Sequence, residues 1–312
     1  MMETNEHIPV LLNEVIEGLN IKEDGIYVDL TLGRAGHSSE ILKRIKKGFL
    51  YGIDQDKEAI EKSYQRLKAI GNNFEIIKSN FVDIKNILQE RNINEVDGVL
   101  MDLGVSSPQF DSGERGFSYN YDAELDMRMD QENNPLTAKT IVNTYSFNEL
   151  VRIFREYGDE KYAVPIANNI IKRRKEKPIE TTFELVEVIK NSKPAKELKK
   201  VGHPAKQVFQ ALRIEVNDEL NVLRKTLNDV IPFLRRNGGR IAVITFHSGE
   251  DKIVKKIFQE ISINIGNRLD LPIKEEEKEY KEVNHKVITA SEEELKINHR
   301  SASAKLRILE RR

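Results

Sequence analysis

The 312-residue sequence predicts an α/β fold, a mostly parallel sheet interrupted by an all-helical insertion. Three observations predict it. Strand-like apolar runs alternate with amphipathic helical stretches over the first hundred residues. Three of those runs end in an acid or a glycine turn. The alternation then stops after Pro108, gives way to helical patterns alone, and resumes beyond Pro204.

The elements follow in order. Ile26-Tyr27-Val28-Asp29-Leu30-Thr31 is a strand running into Gly33-Arg34-Ala35-Gly36, and an amphipathic helix covers Ser39 to Ile45. Phe49 to Ile53 is a second strand ending on Asp54, followed by a helix from Lys57 to Ala69. Phe74 to Lys78 is a third strand leading to Phe81, and Val96 to Met101 is a fourth ending on Asp102. In the insertion, Ser146-Phe147-Asn148-Glu149 and Thr181-Thr182-Phe183-Glu184 have capping-box spacing. Pro165 falls near the first turn of a helix from about Glu160 to Arg174. Beyond Pro204, one helical face carries Val208, Phe209, Leu212, Val216, Leu220, Leu223, Leu227 and Leu234. Gly238-Gly239 breaks this stretch before a strand at Arg240–Phe246, and Ala304–Leu309 is the last. The expected division is 1–112 with 205–312 as the sheet domain, and 113–204 as the helical one.

Composition narrows the function. No apolar stretch approaches the ~18 residues a bilayer span needs. The amino-terminal residues lack a hydrophobic core segment, so a cytoplasmic protein is expected. The absence of cysteine excludes disulfides, thiolate metal sites and cysteine nucleophiles. Net charge is −1, but Val151–Lys206 carries 14 Lys/Arg against 8 Asp/Glu. Its run Lys172-Arg173-Arg174-Lys175-Glu176-Lys177 suits either a polyanion or a solvated helix end.

The strand ends carry the chemistry. A dinucleotide fold wants three glycines at its first turn, and here only Gly33 and Gly36 stand. A ligand without a pyrophosphate, such as S-adenosylmethionine, needs fewer. Asp54 lies 18 residues past Gly36, near the ~20 expected of an acid that binds ribose hydroxyls. Asp56 suits a helix cap, and Phe81 suits either an adenine face or the core. The loop Asp102-Leu103-Gly104-Val105-Ser106-Ser107-Pro108-Gln109 is polar where a core would be apolar. A carboxylate there could accept the N–H of an exocyclic base amine, localising its lone pair. His247-Ser248-Gly249-Glu250-Asp251 allows two readings, a helix start capped by Ser248 with Asp251 returning the bond, or a histidine beside substrate. No second histidine lies at metal-ligand spacing.

These strings, with His7-Ile8-Pro9-Val10, Arg115-Gly116-Phe117-Ser118, Leu125-Asp126-Met127-Arg128-Met129-Asp130, His203-Pro204-Ala205, Phe209-Gln210-Ala211-Leu212-Arg213, Val216-Asn217-Asp218-Glu219 and Ser303-Ala304-Lys305-Leu306-Arg307, resemble one family. It is that of the bacterial small-subunit ribosomal RNA cytosine-N4 methyltransferases. The resemblance runs over nearly the whole chain. It implies a class I S-adenosylmethionine-dependent methyltransferase sheet, Rossmann-like, with an inserted helical substrate domain. It also implies methylation of N4 of a cytidine (cytosine 1402) in the decoding region of 16S rRNA, with the small ribosomal subunit as partner and neither metal nor membrane. The implied cofactor contacts are Ala35, Gly36, His37, Asp54, Phe81, Asp102 and Gln109. Asp102 is the implied catalytic residue, with His247 as a further candidate. Arg115, Arg128, Lys172, Arg173, Arg174 and Arg213 are candidates for RNA phosphates. The sequence departs from the family at Ala35 and Gly249, where glycine and leucine are common, and at His299, where proline is. The Asp/Asn-Pro-Pro-Tyr loop of DNA amino-methyltransferases is replaced by Asp102-Leu103-Gly104. Other RNA or nucleobase amines, a nicotinamide-dependent dehydrogenase and a non-catalytic RNA-binding protein are the competing readings, and the missing glycines weigh against the dehydrogenase. Oligomeric state is left open.

Overall fold

The structure, a computed structural model, describes residues 8–104, 113–262 and 278–312. Strands β1 (Ile26–Asp29), β2 (Phe49–Asp54), β3 (Phe74–Lys78), β4 (Gly98–Asp102), β5 (Gly239–Thr245), β6 (Tyr280–Glu282) and β7 (Lys305–Arg311) form one sheet. Their order is β3-β2-β1-β4-β5-β7-β6. The first five are parallel, with Val28 of β1 opposite Tyr51 of β2 and Val99 of β4. β7 turns back antiparallel to β5, and β6 is antiparallel to β7. This is the class I methyltransferase strand order. The central strand β4 is buried from Gly98 to Met101, as a parallel strand covered on both faces must be. β6 carried no sequence signal, because three half-buried residues beside an acidic run show neither alternation nor an apolar stretch.

Helices α1 (Leu12–Leu19), α2 (Gly36–Arg44), α3 (Lys57–Lys68) and α4 (Ile84–Glu90) accompany the first four strands. Asp56 caps α3, accepting the N–H groups of Glu58 and Ala59. Contacts within the chain divide it into two units, one running to Gly104 and resuming at Asn221, the other spanning Val105–Leu220.

The second unit holds α5 (Ala138–Thr144), α6 (Phe147–Glu156), α7 (Ala163–Glu176), α8 (Thr182–Asn191), α9 (Ala195–Leu198) and α10 (Lys206–Asn217). Ser146 with Glu149, and Thr181 with Glu184, form the two capping boxes that their spacing predicts. This unit is longer than the expected 113–204. α10 belongs to it because Val208, Phe209, Leu212 and Val216 join Leu150 and Phe154 in its core. The single helical face read from Val208 to Leu234 is in fact two helices, α10 and α11 (Glu219–Val230). Asp218 separates them in the left-handed conformation, φ 49°. Apolar periodicity cannot register a one-residue reversal, and an aspartate tolerates it better than most side chains. No described helix is long and apolar enough to cross a membrane.

Candidate active site

In an open parallel sheet, ligands bind beyond the carboxyl ends of the strands where the strand order reverses. Here that point lies between β1 and β4. The sequence places an acid at the carboxyl end of each of three adjacent strands: Asp29 on β1, Asp54 on β2 and Asp102 on β4. A hydrogen-bond web joins the central pair. Asp29 is 1% exposed and accepts from Thr31 N (3.0 Å) and Ser38 Oγ (2.7 Å). Thr31 Oγ1 in turn accepts the Asp102 backbone N–H at 2.7 Å. Burial raises the Asp29 carboxyl above its ordinary value, opposed by the bonds from Ser38 and Thr31.

Asp102 is the least satisfied group of the cluster. Its Oδ1 is buried and has no hydrogen-bond partner among the described residues. Its Oδ2 lies 3.6 Å from His37 Nδ1. Burial, then the negative charges of Asp29 and Glu250, push the carboxyl up to about 8, although one edge still meets solvent (26% side-chain exposure). His37 is itself buried, and its Nε2 lies 2.9 Å from the Val10 carbonyl. A carbonyl only accepts, so Nε2 carries a proton. Nδ1 faces the Asp102 carboxyl at a distance longer than a hydrogen bond.

The turn after β1 is built around two left-handed residues, Gly33 (φ 51°) and Ala35 (φ 56°). At Gly33 a Cβ would meet only the Thr31 carbonyl oxygen, at 3.8 Å, so the turn is open on that side. The backbone at Ala35 explains why glycine is common there in the family. Gly36 is different, since a Cβ would come within 2.4 Å of Pro9 Cγ; the amino-terminal segment fills that side. Asp54 accepts Gly33 N at 2.8 Å through Oδ2 and Asp56 N at 2.9 Å through Oδ1. Each oxygen keeps a lone pair for a further donor. Burial, the largest cause, pushes Asp54 up to about 6. Phe81 is half-buried in a short 3-10 turn after β3. Gln109 lies outside the described residues.

His247 follows β5 and precedes α12 (Ser248–Ser262). The helix start is one residue earlier than its sequence suggests. His247 Nδ1 accepts the N–H groups of Gly249 (3.2 Å) and Glu250 (3.4 Å). Glu250 Oε2 returns the bond, accepting Phe246 N at 2.8 Å and His247 N at 3.3 Å. Asp251 instead pairs with Arg307 (2.8 Å) and Lys305 (3.2 Å). With Nδ1 accepting, the imidazole proton sits on Nε2, 3.2 Å from Glu250 Oε1. His247 is therefore the helix cap; both side chains are buried, and its Nε2, for all its nearness to Glu250, makes no hydrogen bond among the described residues.

In the helical unit, four of the six basic candidates are bound into the protein. Arg115 Nη2 donates to the carbonyls of Arg128 (2.6 Å) and Met129 (2.9 Å). Arg128 makes a bidentate pair with Asp126, both bonds 2.8 Å, and also donates to the Asn134 carbonyl at 2.9 Å. Arg174 Nη1 donates to the last carbonyls of α5, those of Val142 (3.0 Å) and Tyr145 (2.7 Å). Arg213 is paired bidentately with Glu219, at 2.8 and 2.9 Å. Asn217 ties the loop to α10, accepting Met129 N and donating to the Met127 carbonyl. Lys172 is exposed, and Arg173 donates to the Lys177 carbonyl at 3.1 Å. Sequence strings thus mark residues that shape this loop as readily as residues that bind a ligand. Asp29, Thr31, Ser38 and Glu250 were not singled out by sequence. An acid flanked by Val28 and Leu30 inside a strand was the available signal for Asp29.

Acids at adjacent strand ends around an open glycine turn, on a sheet of this order, define a class I methyltransferase. The model of the MraW methylase family matches residues 4–312, and the chain belongs to that family. It is 54% identical over 308 residues to the "Ribosomal RNA small subunit methyltransferase H" of Exiguobacterium sibiricum, covering 98% of both chains. The protein of that name from Mesoplasma florum is also 54% identical, over 98% of this chain and 99% of its own. That from Halothermothrix orenii is 50% identical over 98% of each.

Proposed function

We propose that the chain methylates N4 of a cytidine, cytosine 1402 in the decoding region of 16S rRNA, with S-adenosylmethionine as donor. The observation that carries this reading is the Asp102 carboxyl at the carboxyl end of β4, whose buried oxygen has no partner among the described residues. Such an atom is costly unless a ligand donor meets it. The donor chemistry also agrees with the rest of the cluster. Asp54 has lone pairs left for a ribose diol, the Gly33 turn admits a close approach, and Phe81 offers a ring to adenine. When bound, S-adenosylmethionine supplies an electrophilic methyl group on a sulfonium.

Asp102 then accepts an N–H of the cytosine amine. This turns the nitrogen lone pair out of conjugation with the ring and gives the departing proton a first acceptor. His37, fixed by the Val10 carbonyl, stands beside that carboxyl. The names of the relatives support a small-subunit rRNA substrate, and N4 of cytosine is the finer part of the proposal.

Mapping modified nucleosides by mass spectrometry tests it, after incubating unmodified 16S rRNA, or small subunits, with protein and labelled donor. The expected product is a single N4-methylcytidine in the decoding region. Label on another base, or on a cytosine carbon, would replace the amine chemistry with a different one.

A further inference from the structure

Between the end of α8 and the start of α10 lies a strap whose charge the reaction does not use. From Lys190 to Lys206 there are six lysines and one acid, Glu197. Lys190, Lys196, Lys199, Lys200 and Lys206 are exposed. Lys200 pairs with Glu197 at 2.6 Å; the other four have no carboxylate partner among the described residues. Lys193 is the buried exception, and it is structural. Its Nζ lies 2.6 Å from Glu160, donates to the Pro204 carbonyl at 2.7 Å, and sits 6.0 Å over the Tyr162 ring. The bond to Pro204 closes the base of residues 194–203, so Lys196, Lys199 and Lys200 are displayed on a stapled loop, with Lys190 and Lys206 in the helices that flank it.

At that base the His203 ring stacks on Tyr119, centroids 4.2 Å apart and planes 5° off parallel. Phe209 supports Tyr119 edge-on at 5.6 Å. Both stacked residues are only half-buried. His203 Nδ1 accepts the Ala205 N–H at 3.2 Å, which fixes the ring plane. Burial, then Lys190 and Lys193, lower the His203 pKa and favour the neutral ring.

We propose that Lys190, Lys196, Lys199 and Lys206, with the Tyr119–His203 stack, are a docking surface for a single-stranded segment of RNA. The lysines meet phosphates and one unpaired base lies on the stacked rings, the combination by which single strands are held. An acidic protein would use the charge but has no use for a rigid pair of ring planes. This inference rests on the reading of the chain as an RNA methyltransferase.

The better-marked run Lys172–Lys177 lies at the other end of the α7–α8 pair. Asn169 meets Ser192 at 2.8 Å, while Lys177 meets Glu184 at 2.8 Å, so the two helices run antiparallel. Arg174 and Lys177 are occupied there, which leaves that end the weaker anion surface.

The test uses the full chain and a fluorescent single-stranded RNA oligonucleotide, with anisotropy read across a salt series. Replacing Lys196, Lys199 and Lys206 together with Gln should make the slope of log affinity against log salt shallower by about two, at ~0.7 per phosphate contact. His203→Leu should weaken binding roughly tenfold, and His203→Phe, which keeps a ring, should restore most of it. An unchanged slope in the triple variant overturns the docking surface. Methyl transfer to rRNA by the wild type is measured alongside. Transfer with an unchanged variant slope sinks this surface alone, whereas no transfer to any rRNA sinks the underlying reading with it.

Discussion

Three carboxyls sit where the sheet ends, and their titration ties stability to function. The Asp102 carboxyl, held at about 8, is mostly protonated at neutral pH in the ligand-free protein. On the proposed reading, the positive charge of a bound sulfonium donor would favour the ionised form. Cofactor binding at pH 7 should therefore release a proton, seen in calorimetry as a heat that changes with the ionisation enthalpy of the buffer. Asp102→Asn should remove that dependence.

Asp54 makes a second prediction, because its folded value of about 6 lies above the ~4 of an unfolded chain. Between those values the folded state holds more protons. The contribution of Asp54 to the stability of the ligand-free protein should thus fall as pH rises from about 4 through about 6, then level off, while that of Asp102 goes on falling to about 8. If Asp54 accepts from the ribose as proposed, cofactor affinity should move the other way, rising over the same interval as the carboxyl ionises. Chemical denaturation and titration of Asp54→Asn check both, since that variant should show a shallower fall in stability below pH 6 and a shallower rise in affinity than wild type.

At the scale of elements, what matters is which side chains hold segments in place. His247 and Glu250 cap α12 reciprocally, so His247→Ala should cost about 1–2 kcal/mol of stability. His247→Asn, another good capping residue, should recover most of it and keep transfer within a few-fold of wild type. A hundredfold loss in that folded variant would give the imidazole a chemical role.

Arg128 makes the same point in the helical unit. Removing the side chain takes both guanidinium bonds from Asp126, which keeps the residue-128 backbone N–H and Gln131 as donors, and takes the Arg128 donor from the Asn134 carbonyl, so Arg128→Ala should destabilise by about 1–3 kcal/mol, measured by denaturant unfolding. The salt slope of RNA binding should stay as it was. The strands were legible because apolar runs ending in Asp54 and Asp102 bear period, length and polarity at once. The capping boxes at Ser146 and Thr181 were legible for a similar reason, being local rules. The His247 cap was not: a histidine accepting two backbone N–H groups resembles, in sequence, a histidine beside substrate. The partners of Arg128 and Arg213 were hidden too, because a basic side chain carries no mark of the acid it meets.

For the whole molecule, the sequence conveyed the architecture but set the helical segment too short at both ends. The second unit ends at Leu220, just past the left-handed Asp218 that separates α10 from α11, and composition does not change there. The charge was half legible. The surplus over Val151–Lys206 was plain, but the compact run Lys172–Lys177 drew the eye from lysines spaced between Lys190 and Lys206, which remain exposed.

The central claim is that the Asp102 carboxyl, at the tip of β4, handles the amine whose nitrogen takes the methyl group. Single-turnover transfer to 16S rRNA by Asp102→Asn, at saturating donor and RNA, tests it most directly. The account predicts a rate roughly 10²–10⁴ below wild type in a variant that folds at least as stably. A rate within threefold of wild type would contradict it.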